Sequence, residues 1–215
     1  MPTPLSRTRW LTVPLSQRRM ICALAVAVFA ANLWQPYPEI APLQHLPTII
    51  LLFASPWLLG RWPLSDRSVA SLVVFLALHT LAGRYTYSNV PYDVWGRSLT
   101  GVSIDAALGT TRNGFDRLVH LSFGLLWVGP LAEIVRRYAG VGWRTSLWFA
   151  VLFVGCISAL YEIFEWLLTM LLAPGMADAY NGQQGDVWDA QKDMAIAMLG
   201  AFLACFWGAR DVRGS

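Results

Sequence analysis

Apolar residues dominate six separate stretches of the chain. They lie near residues 19–35, 46–60, 68–83, 115–135, 145–172 and 187–208. A helix needs about 20 mainly apolar residues to cross the hydrocarbon core of a bilayer. A helix also satisfies its own backbone hydrogen bonds, which lipid cannot do. The pattern therefore predicts an all-α integral membrane protein with about six transmembrane helices.

The composition supports one membrane domain over residues 1–215. Of the 215 residues, 56% are hydrophobic and only 13% are charged, whereas about a quarter of a soluble domain is charged. The net charge of +3 is small, and no run of basic residues indicates a nucleic-acid partner. We expect the lipid bilayer to be the main surrounding, and the sequence leaves the oligomeric state open.

Two of the apolar stretches raise questions about the number of spans. The first follows Arg18 and Arg19 and resembles a signal peptide, but Asn32 and Trp34 at its end favour a retained helix. The second is short for a span and contains Pro47, with a further proline near its end, and proline weakens the interior of a helix.

The basic residues predict an orientation. With six helices, the N-terminus, the loops near 61–67 and 136–144, and the C-terminus share one side, and most of the 16 lysine and arginine residues fall there. The positive-inside rule places that side in the cytoplasm. We therefore predict that both termini are cytoplasmic. Residues 1–18 then form a short cytoplasmic segment, and residues 84–113 form a periplasmic loop.

Acidic residues are concentrated in the last three apolar stretches. In "RNGFDRLVH", Asp116 and His120 are four residues apart and share one helix face. In "YEIFEW", Glu162 and Glu165 are three apart and also share a face. Intramembrane carboxylates are costly unless they are protonated, paired or metal-bound, and they usually mark function.

The stretch "GDVWDAQKDM" places Asp186, Asp189 and Asp193 on one stripe of a helix. The same stripe continues as Ala197 and Gly200, and small residues at this spacing let helices approach closely in lipid. The faces of the fourth and fifth stretches likewise change from acidic to small residues. We therefore predict that these three helices turn their acidic faces toward one another.

These residues predict one pocket that opens to the periplasm. The predicted catalytic residues are Asp116, His120, Glu162, Glu165, Asp189 and Asp193. The predicted ligands of a divalent metal, zinc, manganese or magnesium, are His79, Asp116, His120, Glu162 and Asp193. The residues predicted to hold an anionic substrate group are Arg112 and Arg117.

Simpler interpretations of the same residues remain open. Asp186 and Asp189 are also suited to the start of a helix, where the helix dipole favours anions, and Asp116 is suited to the start of its own helix. Arg112 and Arg117 are also suited to neutralising the nearby acids in a structural network. We expect Asp186 to serve mainly the helix start, whereas Asp189 and Asp193 belong to the pocket.

Three motifs together resemble a known family. "RNGFDRLVH", "YEIFEW" and "QQGDVWDAQKDM" resemble the YjdF-like family of uncharacterised bacterial inner-membrane proteins, and "HTLAGRYTYSNVP" resembles its third-helix region. The resemblance covers about residues 70–205 and implies a multi-pass protein of the bacterial inner (cytoplasmic) membrane.

A more distant likeness is to the VanZ-like membrane proteins, which are linked to glycopeptide resistance. The VanZ-like pattern places an acid and a histidine on one helix, an acid on the next, and an aspartate before a glycine-containing last helix. Asp116 with His120, then Glu162, then Asp189 or Asp193 fit these places. Glu165 and the long 84–112 loop depart from the pattern.

Three classes of function are consistent with such a pocket. The first is a metal-dependent hydrolase acting on a lipid or cell-envelope precursor, with a metal-free variant in which a carboxylate pair acts as acid and base. The second is a proton- or ion-coupled transporter. The third is a non-catalytic interaction protein whose polar residues fix helix packing. The sequence leaves open whether the protein is an enzyme.

Overall fold

The computed structural model of the chain describes residues 7–171 and 182–211. Within these ranges the regular structure is helical, with no strand. The helices are α1 (Arg7–Thr12), α2 (Leu15–Ala31), α3 (Ala41–Arg61), α4 (Asp66–Arg84), α5 (Tyr92–Thr100), α6 (Ile104–Ala107), α7 (Phe115–Ala139), α8 (Trp143–Leu171) and α9 (Asp189–Asp211). The predicted all-α fold is confirmed over these residues.

Each predicted apolar stretch coincides with one long helix: α2, α3, α4, α7, α8 or α9. By length and hydropathy, α3, α4, α7 and α8 are the four helices of the described residues that are able to cross a membrane. α2 has only 17 residues, and α9 begins with charged residues. The described part of the chain is therefore helical, with four helices that are long and apolar enough to cross a membrane.

α3 runs unbroken through both of its internal prolines. Pro47 and Pro56 lie within this helix of 21 residues. Each removes one backbone donor, but membrane helices tolerate this loss where neighbouring groups satisfy the freed carbonyls. The second apolar stretch is therefore one helix, and it is longer than its hydrophobic core at 46–60 suggested.

α7 is the central helix of the bundle because it packs against α4, α8 and α9. Its contact with α9 is the closest. A β-carbon added to Gly124 would overlap the carbonyl oxygen of Ala197, and one added to Gly200 would overlap that of Leu121. Glycine on both helices lets the two backbones touch, as the stripe of small residues predicted.

A carboxylate joins the opposite ends of α4 and α7. Glu133 Oε1 accepts a hydrogen bond from the backbone N–H of Ser65 (2.8 Å), and Glu133 Oε2 accepts one from the Ser65 hydroxyl (2.7 Å). Arg137 pairs with the same carboxylate at 2.8 Å. Since the start of a helix favours anions, Glu133 anchors the first turn of α4 to α7.

The predicted loop at 84–113 contains two short helices, α5 and α6. Asp93 accepts hydrogen bonds from the backbone N–H of Asp105 (3.0 Å) and from the hydroxyl of Ser103 (2.9 Å). Led by the bond from Asp105, these contacts lower the pKa of Asp93 to about 2. Gly101 adopts a φ of 74° at the end of α5, which favours glycine. The segment thus folds back on itself, and the chain continues from it to Arg112.

Candidate functional site

Asp116, His120 and Glu162 meet around one ring nitrogen. His120 Nε2 lies 3.6 Å from Asp116 Oδ1 and 3.8 Å from Glu162 Oε1. Asp116 and His120 come from the same face of α7, as their spacing predicted, and Glu162 reaches them from α8. Their side chains are 9–11% exposed.

Asp193 completes this group from α9. Asp116, His120 and Asp193 each offer one ligand atom, and these atoms all lie within 4.8 Å of one another. Asp193 is 2% exposed, and its Oδ1 has no hydrogen-bond partner among the described residues. The close crossing of α7 and α9 brings this carboxylate to the histidine. We call Asp116, His120, Glu162 and Asp193 the inner carboxylate cluster.

Arg112 lies above the cluster and contacts the start of α9. Its Nη2 lies 2.6 Å from Asp189 Oδ1, and its Nη1 lies 3.7 Å from Asp186 Oδ2. Nη1 also donates to the carbonyl of Gln183 at 2.8 Å. Asp116 lies farther away, with its Oδ2 4.0 Å from Arg112 Nη2. Asp189 is therefore the main partner of this guanidinium.

Asp186 forms ion pairs with Arg117 and Lys192. Its Oδ2 lies 2.7 Å from Arg117 Nη2 and 2.7 Å from Lys192 Nζ. Its Oδ1 accepts from the backbone N–H of Trp188 at 3.1 Å. These contacts, led by the hydrogen bond from Lys192, lower the pKa of Asp186 to about 2. Asp186 does bind the turn before α9, but it is also the anion of a three-cation contact that the sequence pattern alone did not reveal.

The charges of the site fall into two layers. The outer ion-pair layer contains Arg112, Arg117, Asp186, Asp189 and Lys192, so its three cations exceed its two acids by one charge. Below it, three carboxylates surround one histidine in the inner carboxylate cluster. Arg117 reaches that cluster only at 4.0 Å, between its Nε and Asp193 Oδ1. The inner cluster therefore holds more acid than base, which favours a cation or bound protons.

His79 does not join the cluster. Its Nε2 lies 3.1 Å from the backbone carbonyl of Gln44, which accepts only, so Nε2 carries the proton. Nδ1 is then the acceptor for the hydroxyl of Tyr87, which contacts it. Both ring nitrogens are engaged, and His79 joins α4 to α3 and to the turn after α4.

Glu165 lies beside the cluster and interacts electrostatically with its carboxylates. With Glu162 and Asp189 it lines a groove of about 600 Å³ along α8 and α9. Glu162 lies between this groove and His120, whereas Glu165 lies one turn nearer the end of α8. The seven residues predicted for one pocket are thus divided between an inner cluster, an outer layer, a groove and a separate histidine.

Two amides fix the position of Arg112. The Asn113 backbone N–H donates to Gln184 Oε1 at 3.0 Å, and Gln184 Nε2 donates back to the Asn113 carbonyl at 3.1 Å. Gln184 has a φ of 51°, which is uncommon for a residue with a side chain. Neither residue was among the predicted site residues, although the polar "QQG" before the acidic stripe was a usable signal.

Comparisons with known proteins place the chain among membrane proteins without an assigned activity. The family described as "Predicted membrane protein (DUF2238)" matches residues 17–214. The chain is 33% identical over 173 residues to "Inner membrane protein YjdF" of Escherichia coli (strain K12), covering 80% of this chain and 76% of that protein. No solved structure matches the chain. The YjdF-like resemblance is confirmed, whereas these comparisons do not show a VanZ-like one.

Proposed function

Since the chain belongs to the DUF2238 family of predicted membrane proteins, we propose that it is a multi-pass protein of the bacterial inner membrane with six transmembrane helices, α2, α3, α4, α7, α8 and α9. The distribution of lysine and arginine supports cytoplasmic termini. In this orientation the start of α7, the end of α8 and the start of α9 face the periplasm. The outer ion-pair layer then lies at the periplasmic surface, and the inner carboxylate cluster lies about one turn below it, because Asp193 follows Asp189 by four residues.

The proposed activity is metal-dependent hydrolysis of an ester in a lipid or cell-envelope precursor. The observation that carries it is the group of three ligand atoms from Asp116, His120 and Asp193, all within 4.8 Å of one another. One carboxylate oxygen of Asp193 and one of Glu162 are buried without a hydrogen-bond partner among the described residues. Buried unpaired carboxylate oxygens are costly, and a bound cation removes that cost.

The donor set favours zinc or manganese. Zinc accepts both carboxylate and imidazole ligands, and catalytic zinc keeps three protein ligands and an open position. Magnesium prefers oxygen ligands and retains several waters. Two ligands at about 2.1 Å from one ion lie at most about 4.2 Å apart, and the 3.6 Å between His120 Nε2 and Asp116 Oδ1 is within that limit.

A bound divalent ion supplies Lewis acidity and lowers the pKa of water. Glu162 suits the role of general base. Its Oε1 lies 3.8 Å from His120 Nε2, and its side chain comes from α8, whereas the three proposed ligands come from α7 and α9. It accepts a proton from the attacking water and returns it to the leaving oxygen. Hydrolysis of an ester then consumes one water and releases an acid and an alcohol, with no oxidant or reductant.

The structure leaves Arg112 and Arg117 less free to bind an anion than the sequence suggested. Both guanidinium groups are paired with Asp186 or Asp189. Their Nε atoms are nevertheless buried and make no hydrogen bond within the described ranges. With Lys192, the two guanidinium groups exceed Asp186 and Asp189 by one positive charge, and this excess supports the binding of a phosphate or carboxylate group at the mouth of the site.

The outer ion-pair layer also supports a second candidate, a non-catalytic protein in which the polar residues fix the packing of α7 against α9. The contacts of Arg112 with Asp189 and of Arg117 with Asp186 join the starts of these helices. A transporter is less well supported, because the Gly124–Gly200 crossing leaves no room between the two backbones below the inner cluster.

Metal analysis separates the two candidates. Protein purified without chelators is measured for zinc, manganese and magnesium, together with Asp193→Asn and the control Asp186→Asn. We expect about one ion per wild-type chain, loss of the ion in Asp193→Asn, and retention in Asp186→Asn. No stoichiometric metal in correctly folded wild-type protein would exclude the metal-dependent hydrolase and leave the packing role.

A further inference from the structure

A largely apolar groove begins at His120, on the side away from α9. Its volume is about 350 Å³, within the usual range of small-molecule sites. The apolar residues that form most of its wall are Phe75, Val119, Phe123, Trp127, Phe153 and Ile157. His120 belongs both to this groove and to the inner carboxylate cluster, so the groove and the cluster meet at one side chain.

The groove lies among the helices that cross the membrane. Its walls come from α3, α4, α7 and α8, which are the four described helices long and apolar enough to span a bilayer. Phe153 is 44% exposed, so the groove reaches the lipid-facing surface. From His120 to Trp127 it follows α7 for about 10 Å. Its immediate surroundings are therefore hydrocarbon chains.

Two polar atoms in the wall have no partner in the described part of the chain. Ser158 is 2% exposed, and its hydroxyl makes no hydrogen bond there. The indole N–H of Trp127 is also buried and unpaired. Both residues line the groove. Since an unpaired buried donor is costly, an occupant with acceptor oxygens stabilises this wall more than a pure hydrocarbon does.

We infer that the groove binds one acyl chain of a glycerophospholipid, with the headgroup phosphate directed to Arg112 and Arg117. The apolar wall fits the chain, the Ser158 hydroxyl, one turn below Glu162 on α8, fits an ester oxygen, and the guanidinium groups of Arg112 and Arg117 fit the phosphate. A phospholipid has a charged headgroup followed by apolar chains, and the site has a charged mouth followed by an apolar groove. The reaction of the lipid rests on the proposed hydrolase function, whereas its binding does not.

Retained lipid tests the inference. The full chain is reconstituted in nanodiscs of phosphatidylethanolamine and phosphatidylglycerol, released in the mass spectrometer, and scored for bound phospholipid. Ile157→Trp fills the groove from α8. Leu160→Trp is the control, because Leu160 is 54% exposed on the same helix and does not line the groove. We expect one retained phospholipid in the wild type and in Leu160→Trp.

Ile157→Trp should retain at least ~10-fold less lipid, because the larger side chain occupies space that the acyl chain needs and overpacking costs about that factor or more. Ile157→Phe adds less volume and replaces it if the tryptophan variant does not fold. Equal retention in Ile157→Trp and Leu160→Trp, or an occupant other than a phospholipid in the wild type, would overturn the inference.

Metal content measured on the same preparations separates this inference from the proposed function. Lipid loss in Ile157→Trp with no metal in any sample leaves the groove assignment intact and excludes the metal-dependent hydrolase. Stoichiometric metal in all samples, with lipid retention unchanged by Ile157→Trp, would overturn the groove assignment and leave the metal-dependent hydrolase intact. Ile157 is outside the proposed ligand set of Asp116, His120 and Asp193, so Ile157→Trp should retain the ion.

Discussion

Gly124 of α7 and Gly200 of α9 lie where the two helices cross, and neither has room for a β-carbon. A β-carbon on Gly124 would overlap the Ala197 carbonyl and lie 2.6 Å from the backbone nitrogen of Ala201. The obstructing atoms are backbone atoms, so the helices must separate to admit a methyl group. This crossing lies directly below the inner carboxylate cluster and sets its width.

Gly124→Ala and Gly200→Ala should therefore destabilise the protein by about 1–3 kcal/mol or more, the usual cost of overpacking. Gly129→Ala is the matched control, because it lies on the same helix α7 and no described residue lies within 4 Å of its added β-carbon. Unfolding in detergent, followed by circular dichroism, measures the difference. Equal stability of all three variants would show that the backbones of α7 and α9 are not in contact at this crossing.

The helix positions could be predicted from the sequence because lipid permits few structures. Apolar runs near 20 residues in length leave little choice but a helix, and all six runs became helices. The meeting of Asp116 with His120 followed from the four-residue spacing on one face. Their meeting with Asp193 followed from the stripe that ends in Gly200, because small residues reveal which faces approach.

The remaining parts of the site depended on partners outside those patterns. The position of His79 near the end of α4 suggested the pocket, but a carbonyl of α3 and the hydroxyl of Tyr87 engage its ring. Glu165 shares the face of Glu162, yet only Glu162 is close to His120. Asp186 is surrounded by cations because the irregular segment 182–188 turns it toward Arg117. Periodicity contains no information about such a turn.

The topology prediction concerns both termini. The excess of arginine on one side predicts that fusions of a cytoplasm-only reporter to the N-terminus and to the C-terminus are both active. A periplasm-only reporter inserted within residues 101–103, between α5 and α6, should be active as well. A stable C-terminal fusion that is active only in the periplasm would contradict the six-helix arrangement.

The low pKa of Asp186 predicts acid sensitivity of the α7–α9 contact. Its pKa falls from 3.8 to about 2 in the folded protein, chiefly through the hydrogen bond from Lys192. A lowered pKa stabilises the fold above the ordinary value, and this contribution disappears as the pH falls from 3.8 toward 2. The wild type should therefore lose stability in this window, and Asp186→Asn should lose less.

Thermal unfolding in detergent between pH 5 and pH 2 measures this difference. Asp93 has a similarly lowered pKa of about 2, so part of the acid sensitivity should remain in Asp186→Asn and decrease further in the variant that also carries Asp93→Asn. Identical pH profiles of the wild type and Asp186→Asn would show that the three-cation contact does not contribute to folding.

The last prediction separates the two glutamates of α8. Glu162 lies 3.8 Å from His120 Nε2 and is the proposed general base, whereas Glu165 lines only the neighbouring groove. Glu162→Gln keeps the size of the side chain and removes the base. It should therefore retain the bound ion but lower hydrolysis of a chromogenic carboxylic or phosphate ester by about 10²–10⁴-fold.

Glu165→Gln is the matched control and should change neither metal content nor hydrolysis. Its carboxylate is in the same helix, one turn away, and outside the proposed ligand set. Loss of the ion in Glu162→Gln would make Glu162 a ligand rather than the base. Equal loss of hydrolysis in both variants would place the reaction in the groove along α8 and α9. Unchanged hydrolysis in Glu162→Gln would show that Glu162 is not the general base.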